Sequence, residues 1–210
     1  MVDSRIEKWL GWLEGTIRAD VYAMYLNRCV FRELGAMTRA RELPSSYFFD
    51  YLGQTYATTQ LVAVRRQAET SSRVCTLGRL LREIAQNPEQ ISRDFYVGLW
   101  EDERDRGSKA FDAFAGRDVE HLPPAVVSTD LDELAGTAAS VKAYVDEYVA
   151  HSDARGKAAV PQFADLDAAI DSIGELFKKY HGLLTASVHT TLVPVLDHDW
   201  KAVFRQPWIE

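Results

Sequence analysis

His151 is the side chain in this 210-residue chain best suited to proton-transfer chemistry. An imidazole titrates near neutrality, so it can take a proton from a ribose hydroxyl or return one to a leaving oxygen, the two steps that metal-free RNA cleavage requires. Asp146 stands five residues before it. On a helix that separation leaves the two about 140° apart, so they flank the helix and can meet only around a pocket or across a dimer interface. Arg155 and Lys157 follow just past the predicted helix end and are the nearest cations available to a substrate. The competing role for His151 is structural: an imidazole in the last turn closes a helix C-terminus against the loop that follows.

The remaining candidates have plainer readings. Asp197-His198-Asp199 imitates a metal constellation, but adjacent residues do not face one site on a helix, and an Asp at a helix start caps it. His121 sits beside Pro123-Pro124 in a weak segment, and His181 and His189 fall near predicted helix ends. No metal and no cofactor is expected. Arg65-Arg66, with Arg73, Arg79 and Arg82, is the densest cationic stretch. It reads either as a salt-bridged helix face or as a phosphate-contacting patch, for which guanidinium geometry is well suited.

The elements that must position these residues are helical almost throughout. Leu131, Leu134, Ala138, Val141, Val145, Tyr148 and Val149 recur at spacings of three and four, which predicts one buried stripe on a helix capped at Ser128 or Thr129 and ending with His151. Asp130, Asp132 and Glu133 then fall in its first turn. Ile6, Trp9, Leu13, Ile17, Val21 and Met24 predict a long N-terminal helix, or two meeting near Gly15, that continues to about Arg41. A second long helix follows Pro44 and ends near Glu69, a third spans about Ser72 to Gln86, and Ser92 caps a shorter one. Residues 101–128 read as a polar connector with at most two helical turns around Phe111 and Phe114. The last long helix starts near Asp165, and Trp200, Phe204 and Trp208 place a short terminal helix back on the bundle. No alternating β pattern and no repeat is visible, so the expected fold is all-α: one domain over residues 1–210, an antiparallel bundle of long helices.

Composition narrows the function classes. A hydrophobic content of 47% in 210 residues supports a sizeable core. No apolar run is long enough for a transmembrane helix and no signal peptide is indicated, so a cytoplasmic protein is expected. Cys29 and Cys75 lack metal-ligand spacing and read as buried thiols. The net charge is −7, with 13 Lys+Arg against 11 Asp+Glu before residue 101 and 11 against 20 after it. An acidic half disfavours general nucleic-acid binding, so any RNA contact must use a local arginine patch.

Val145-Asp-Glu-Tyr-Val-Ala-His-Ser-Asp153 resembles the signature end of a HEPN domain of the type found in bacterial abortive-infection proteins of the AbiU class. Tyr56-Ala-Thr-Thr, Arg65-Arg-Gln67, Leu77-Gly-Arg-Leu-Leu-Arg-Glu-Ile84 and Asp199-Trp-Lys-Ala-Val-Phe-Arg-Gln-Pro-Trp-Ile209 extend the similarity over most of the chain. The resemblance implies an all-helical, often homodimeric bundle acting in phage defence or a toxin–antitoxin pair. RNA and an antitoxin or other defence-system protein are the partners it admits. Many members are metal-independent ribonucleases whose motif is an arginine, a polar residue and a histidine. His151 matches the histidine and Asp146 the polar residue, but Val145 stands where the arginine should, and neither Tyr144 nor Asp146 supplies it. The arginine would stabilise charge developing on the phosphate. Either Arg155 or Lys157 substitutes, giving a ribonuclease, or the chain keeps the fold and binds protein or nucleic acid without efficient cleavage. A third reading, of another class, is a small-molecule pocket lined by Tyr148, Tyr180 and Trp200.

Overall fold

A computed structural model of the chain describes residues 4–42, 44, 46–101, 103–149, 158–196 and 199–205. Among them are eight α-helices and no strand: α1 (Ser4–Trp12), α2 (Arg18–Ala40), α3 (Tyr47–Gln67), α4 (Leu77–Gln86), α5 (Arg93–Gly98), α6 (Arg104–Ala115), α7 (Pro124–Tyr144) and α8 (Phe163–Thr185).

The first two helices form one rod joined by a π turn, Leu13–Ile17. The reason lies in the spacing of Trp9, Leu13, Ile17 and Val21, all buried. Successive steps of four overshoot an α-helical turn by about 40° each, so the stripe would wind off the core. A wider i→i+5 turn absorbs the excess and keeps the four side chains on one face.

Pairs between helices fix the topology. Asp20, Met24 and Phe31 of α2 meet Arg66, Gln60 and Tyr56 of α3. Tyr22, Arg28 and Arg32 meet Phe177, Asp171 and Asp167 of α8. Asp130 and Glu133 of α7 meet Tyr180 and Ser172. Each series runs in opposite directions, so α2 is antiparallel to α3 and α8, and α7 is antiparallel to α8. α7 also packs on α4 and α3, which makes it the central helix of the bundle. α8 buries the longest stripe, from Leu166 through Ile173 and Tyr180 to Leu184, and each such side chain contributes roughly 1.5–3 kcal/mol.

Gly174 marks the closest approach of α8 to α2. A Cβ there would sit 2.1 Å from the Tyr25 hydroxyl oxygen. Gly174→Ala is therefore expected to lose about 1–3 kcal/mol, read as a lower urea midpoint at unchanged slope, because Tyr25 must leave its place over Arg28.

Several boundaries differ from expectation. α7 starts at Pro124 and not after Ser128, since a proline at the first helical position gives up only an amide that would be unpaired anyway. Asp130 and Glu133 consequently lie beyond the first turn, where they bond α8 and do not serve the helix dipole. The third helix begins at Leu77, with Thr76 accepting from the Arg79 amide. Residues 104–115 form three turns of helix inside the expected connector. Cys29 and Cys75 are partly buried and free. The short terminal element is the 3₁₀ helix Trp200–Arg205, tied to α2 by Lys201 and Glu33. Trp208 lies outside the described residues.

Candidate functional site

α7 does not end as a regular helix. From Val145 to Val149 it widens into a π turn, the kind of local irregularity that recurs at functional sites. Val141 and Val145 hold this end in the core. Tyr148 and Val149, expected on the same buried stripe, are 40% and 39% exposed. The π turn rotates Tyr148 off the stripe to pack on Tyr144, ring centroids 5.2 Å apart, and Val149 borders an open cleft.

Asp146 therefore faces outward, and α3 brings a guanidinium to it. Val64 is fully buried, which places its neighbour Arg65 at the α3 surface, where Nε donates to Asp146 Oδ1 at 2.9 Å. Glu69 lies 3.7 Å from the same guanidinium. Both side chains of the Arg65–Asp146 pair are more than a third exposed, so it contributes at most about 1 kcal/mol to stability. Its significance is positional. Next to it, the Glu147 carboxylate accepts the Ala158 amide at 2.8 Å, so the chain entering and leaving residues 150–157 is clipped together beside Asp146. His151, Arg155 and Lys157 belong to that segment and lie outside the described residues.

The cleft at this end has a volume of about 330 Å³ between α3, the end of α7 and the start of α8. Gln54, Thr58, Tyr144, Val149, Val160, Gln162 and Phe163 line it, and none of the described lining residues carries a charge.

The arginine stretch is a salt-bridged face. Arg66 pairs with Asp20 at 2.8 Å and Arg79 with Glu83 at 3.1 Å, and Arg82 reaches the Thr70 carbonyl at 3.4 Å. Gln67 works inward, donating to Asp20 and accepting the Leu77 amide. His121 forms an isolated bridge with Ser92 and bonds no other functional side chain. His198 lies outside the described residues. Asp199, beside it, immediately precedes the 3₁₀ helix and pairs with Arg205 at 2.6 Å. Arg65 as a partner for Asp146, 81 positions away, is the functional contact that the residue pattern alone did not reveal.

Comparison with protein families places this bundle among the HEPN domains. The matching model is that of AbiU2, HEPN_AbiU2, over residues 6–203, so the chain belongs to the AbiU2 family. No curated protein and no solved structure matches it.

Proposed function

We propose that this chain is an abortive-infection-type defence protein that binds nucleic acid or a protein partner without efficient RNA cleavage. The carrying observation is Val145. It occupies the position of the motif arginine and is 3% exposed, locked in the core by the helix that bears it. Family membership supports the defence context, with the homodimer and the antitoxin partner belonging to this proposal.

Arg65 favours a second reading. It is a guanidinium of α3 held by the outer side of that turn, and were Asp146 to release it, a cation would be free for metal-independent ribonuclease chemistry. A small-molecule role has weaker support, because the grooves with apolar walls, such as that of about 570 Å³ beside Trp200, are open to solvent. Tyr180 is in the core, bonded to Asp130, and lines no such groove.

Purified protein incubated with total RNA in EDTA, beside His151→Ala, separates the first two readings. The expected result is RNA left intact by both proteins. Cleavage by the native chain that His151→Ala abolishes would establish the ribonuclease instead.

A further inference from the structure

The second concentration of titratable groups lies at the opposite end of α8, far along the chain from His151. His181, 5% exposed, directs Nε2 to Glu14 Oε1 at 2.6 Å and Nδ1 to Thr185 Oγ1 at 3.2 Å. The Thr185 hydroxyl proton is engaged by the His181 carbonyl at 2.8 Å, so its oxygen accepts from the ring. Both imidazole nitrogens thus face side-chain oxygens. Glu14 also takes Arg18 at 2.6 Å. Burial raises the Glu14 carboxyl, but the hydrogen bonds from Arg18 and His181 outweigh it and hold the group below its ordinary value.

His189 packs against this arrangement from the far side of a chain reversal. α8 ends at Thr185, Ala186 turns in the left-handed region at φ 53°, and the chain then runs back along the bundle. The His189 ring lies 4.2 Å from that of His181 and 5.4 Å from that of Phe177. Nδ1 meets the Tyr22 hydroxyl at 3.2 Å, while Nε2 is buried with no hydrogen-bond partner among the described residues. Arg18 stacks on Tyr22, 5.3 Å from its ring centre. The groups facing His189 are therefore His181 and Lys178 from α8, and Glu14, Arg18 and Tyr22 from the N-terminal rod. Lys178 and Arg18 are cations, and the anion among them, Glu14, is already bonded to Arg18 and His181.

This geometry accepts a neutral His189 and rejects a charged one. A proton at Nε2 would be a buried charge with no acceptor among the described residues, in the neighbourhood of the cations Arg18 and Lys178. Burial first, and then His181 and Arg18, accordingly hold His189 below the ordinary imidazole value, with Glu14 opposing.

What His189 anchors is the C-terminal strap. Leu192, 2% exposed, plugs the core three residues on, and Leu196 and Trp200 cover one side of a groove on α2 whose floor includes Leu26, Val30, Phe31 and Leu34. Downstream of Leu192, Lys201 pairs with Glu33 of α2, while Leu192 is the strap residue buried in the core.

We propose that His189 is the latch of an acid-sensitive strap: the segment carrying Leu192, Leu196 and Trp200 is held on the bundle while this imidazole is neutral, and it detaches, baring the apolar face of α2, when the imidazole takes up a proton. The sign follows from linkage. In the detached strap His189 titrates with its ordinary value, while in the docked strap it binds its proton less readily. Docking is thus fully supported above about pH 6.5 and weakens as pH falls through the window between that value and the lower docked one.

Hydrogen exchange of the full chain, resolved by peptide, provides the test at about pH 7.5 and about pH 5.5, with rates corrected for the intrinsic pH dependence of exchange. Protection of peptides covering residues 187–205 should fall by more than about twofold at the lower pH while α8 peptides stay protected. His189→Phe keeps an aromatic ring at the site and cannot take a proton, so its strap should change less than about twofold over the same interval. In native protein the His189 ring resonance should titrate along with strap protection, a readout that does not depend on the variant folding. Strap protection that is independent of pH in the native chain, or that falls equally in His189→Phe, would overturn the proposal.

Discussion

Asp130→Ala is expected to lower the unfolding free energy by about 3 kcal/mol, more than any other single loss of a polar side chain here. Asp130 is 7% exposed and takes three hydrogen bonds: one from the Tyr180 hydroxyl at 2.6 Å and two from Lys179 Nζ at 2.6 and 2.9 Å. Tyr180 has no exposure at all. Burial, followed by its bond to Asp130, pushes the phenol far above its ordinary range, so the hydroxyl remains a donor at every accessible pH and must find an acceptor. Alanine leaves that donor stranded. Lys179 fares better, because its side chain is 26% exposed and can turn to water, which holds the loss at the lower end of the range for broken buried pairs. Two companions test the apportioning. Tyr180→Phe alone should cost about 1 kcal/mol, and adding it to Asp130→Ala should recover part of the loss, since no donor is then left unpaired. Urea unfolding of the four proteins closes the cycle. A loss below about 1 kcal/mol for Asp130→Ala would show that water reaches Tyr180 and that α7 and α8 are less tightly joined than their geometry indicates.

The pairing of Asp130 with α8 also shows where sequence patterns lose their reach. The stripes of α1, α2, α7 and α8 are legible because a buried face repeats with the helix period, and the all-α bundle follows from them. Asp130 matched a helix N-terminus equally well, and only the proline start six residues before it removes it from that role. α6 escaped for a related reason: its opening run, Arg104-Asp-Arg-Gly, has no apolar side chain to carry the period. The helix is held from outside, by Arg93 reaching Ser108 and Asp112 at 2.9 and 2.7 Å and by Phe111 buried against Tyr96. Such contacts cross from one element to another and have no local signature. The same holds for both candidate sites. Asp146 was singled out for its distance to His151, yet its actual partner is Arg65. His181 and His189 looked like unrelated helix-end residues, and the chain reversal at Ala186 is what stacks them on Glu14 and Tyr22.

Val145→Arg, the substitution that restores the family motif in sequence, is expected to unfold the protein and not to restore cleavage. Val145 is 3% exposed and surrounded by apolar neighbours of the bundle. A guanidinium there would be a buried charge without a partner, costing at least about 4 kcal/mol against the 5–15 kcal/mol that typically separates folded from unfolded domains. Its melting temperature should fall by more than about 10 °C, or its cooperative transition disappear. Asp146→Arg is the informative control. That side chain is 40% exposed, so an arginine fits in solvent; the change forfeits the pair with Arg65 and sets two guanidinium groups together, at a cost of about 1 kcal/mol. This variant should stay folded and bind single-stranded RNA more tightly than the native chain, with the salt dependence of log K steeper by about one unit for each phosphate gained. If Val145→Arg instead melts within a few degrees of the native protein, the π turn can swing its first residue out to solvent. The burial of Val145 would then no longer explain why this chain lacks the motif arginine, and the ribonuclease reading built on Arg65 and His151 would gain ground.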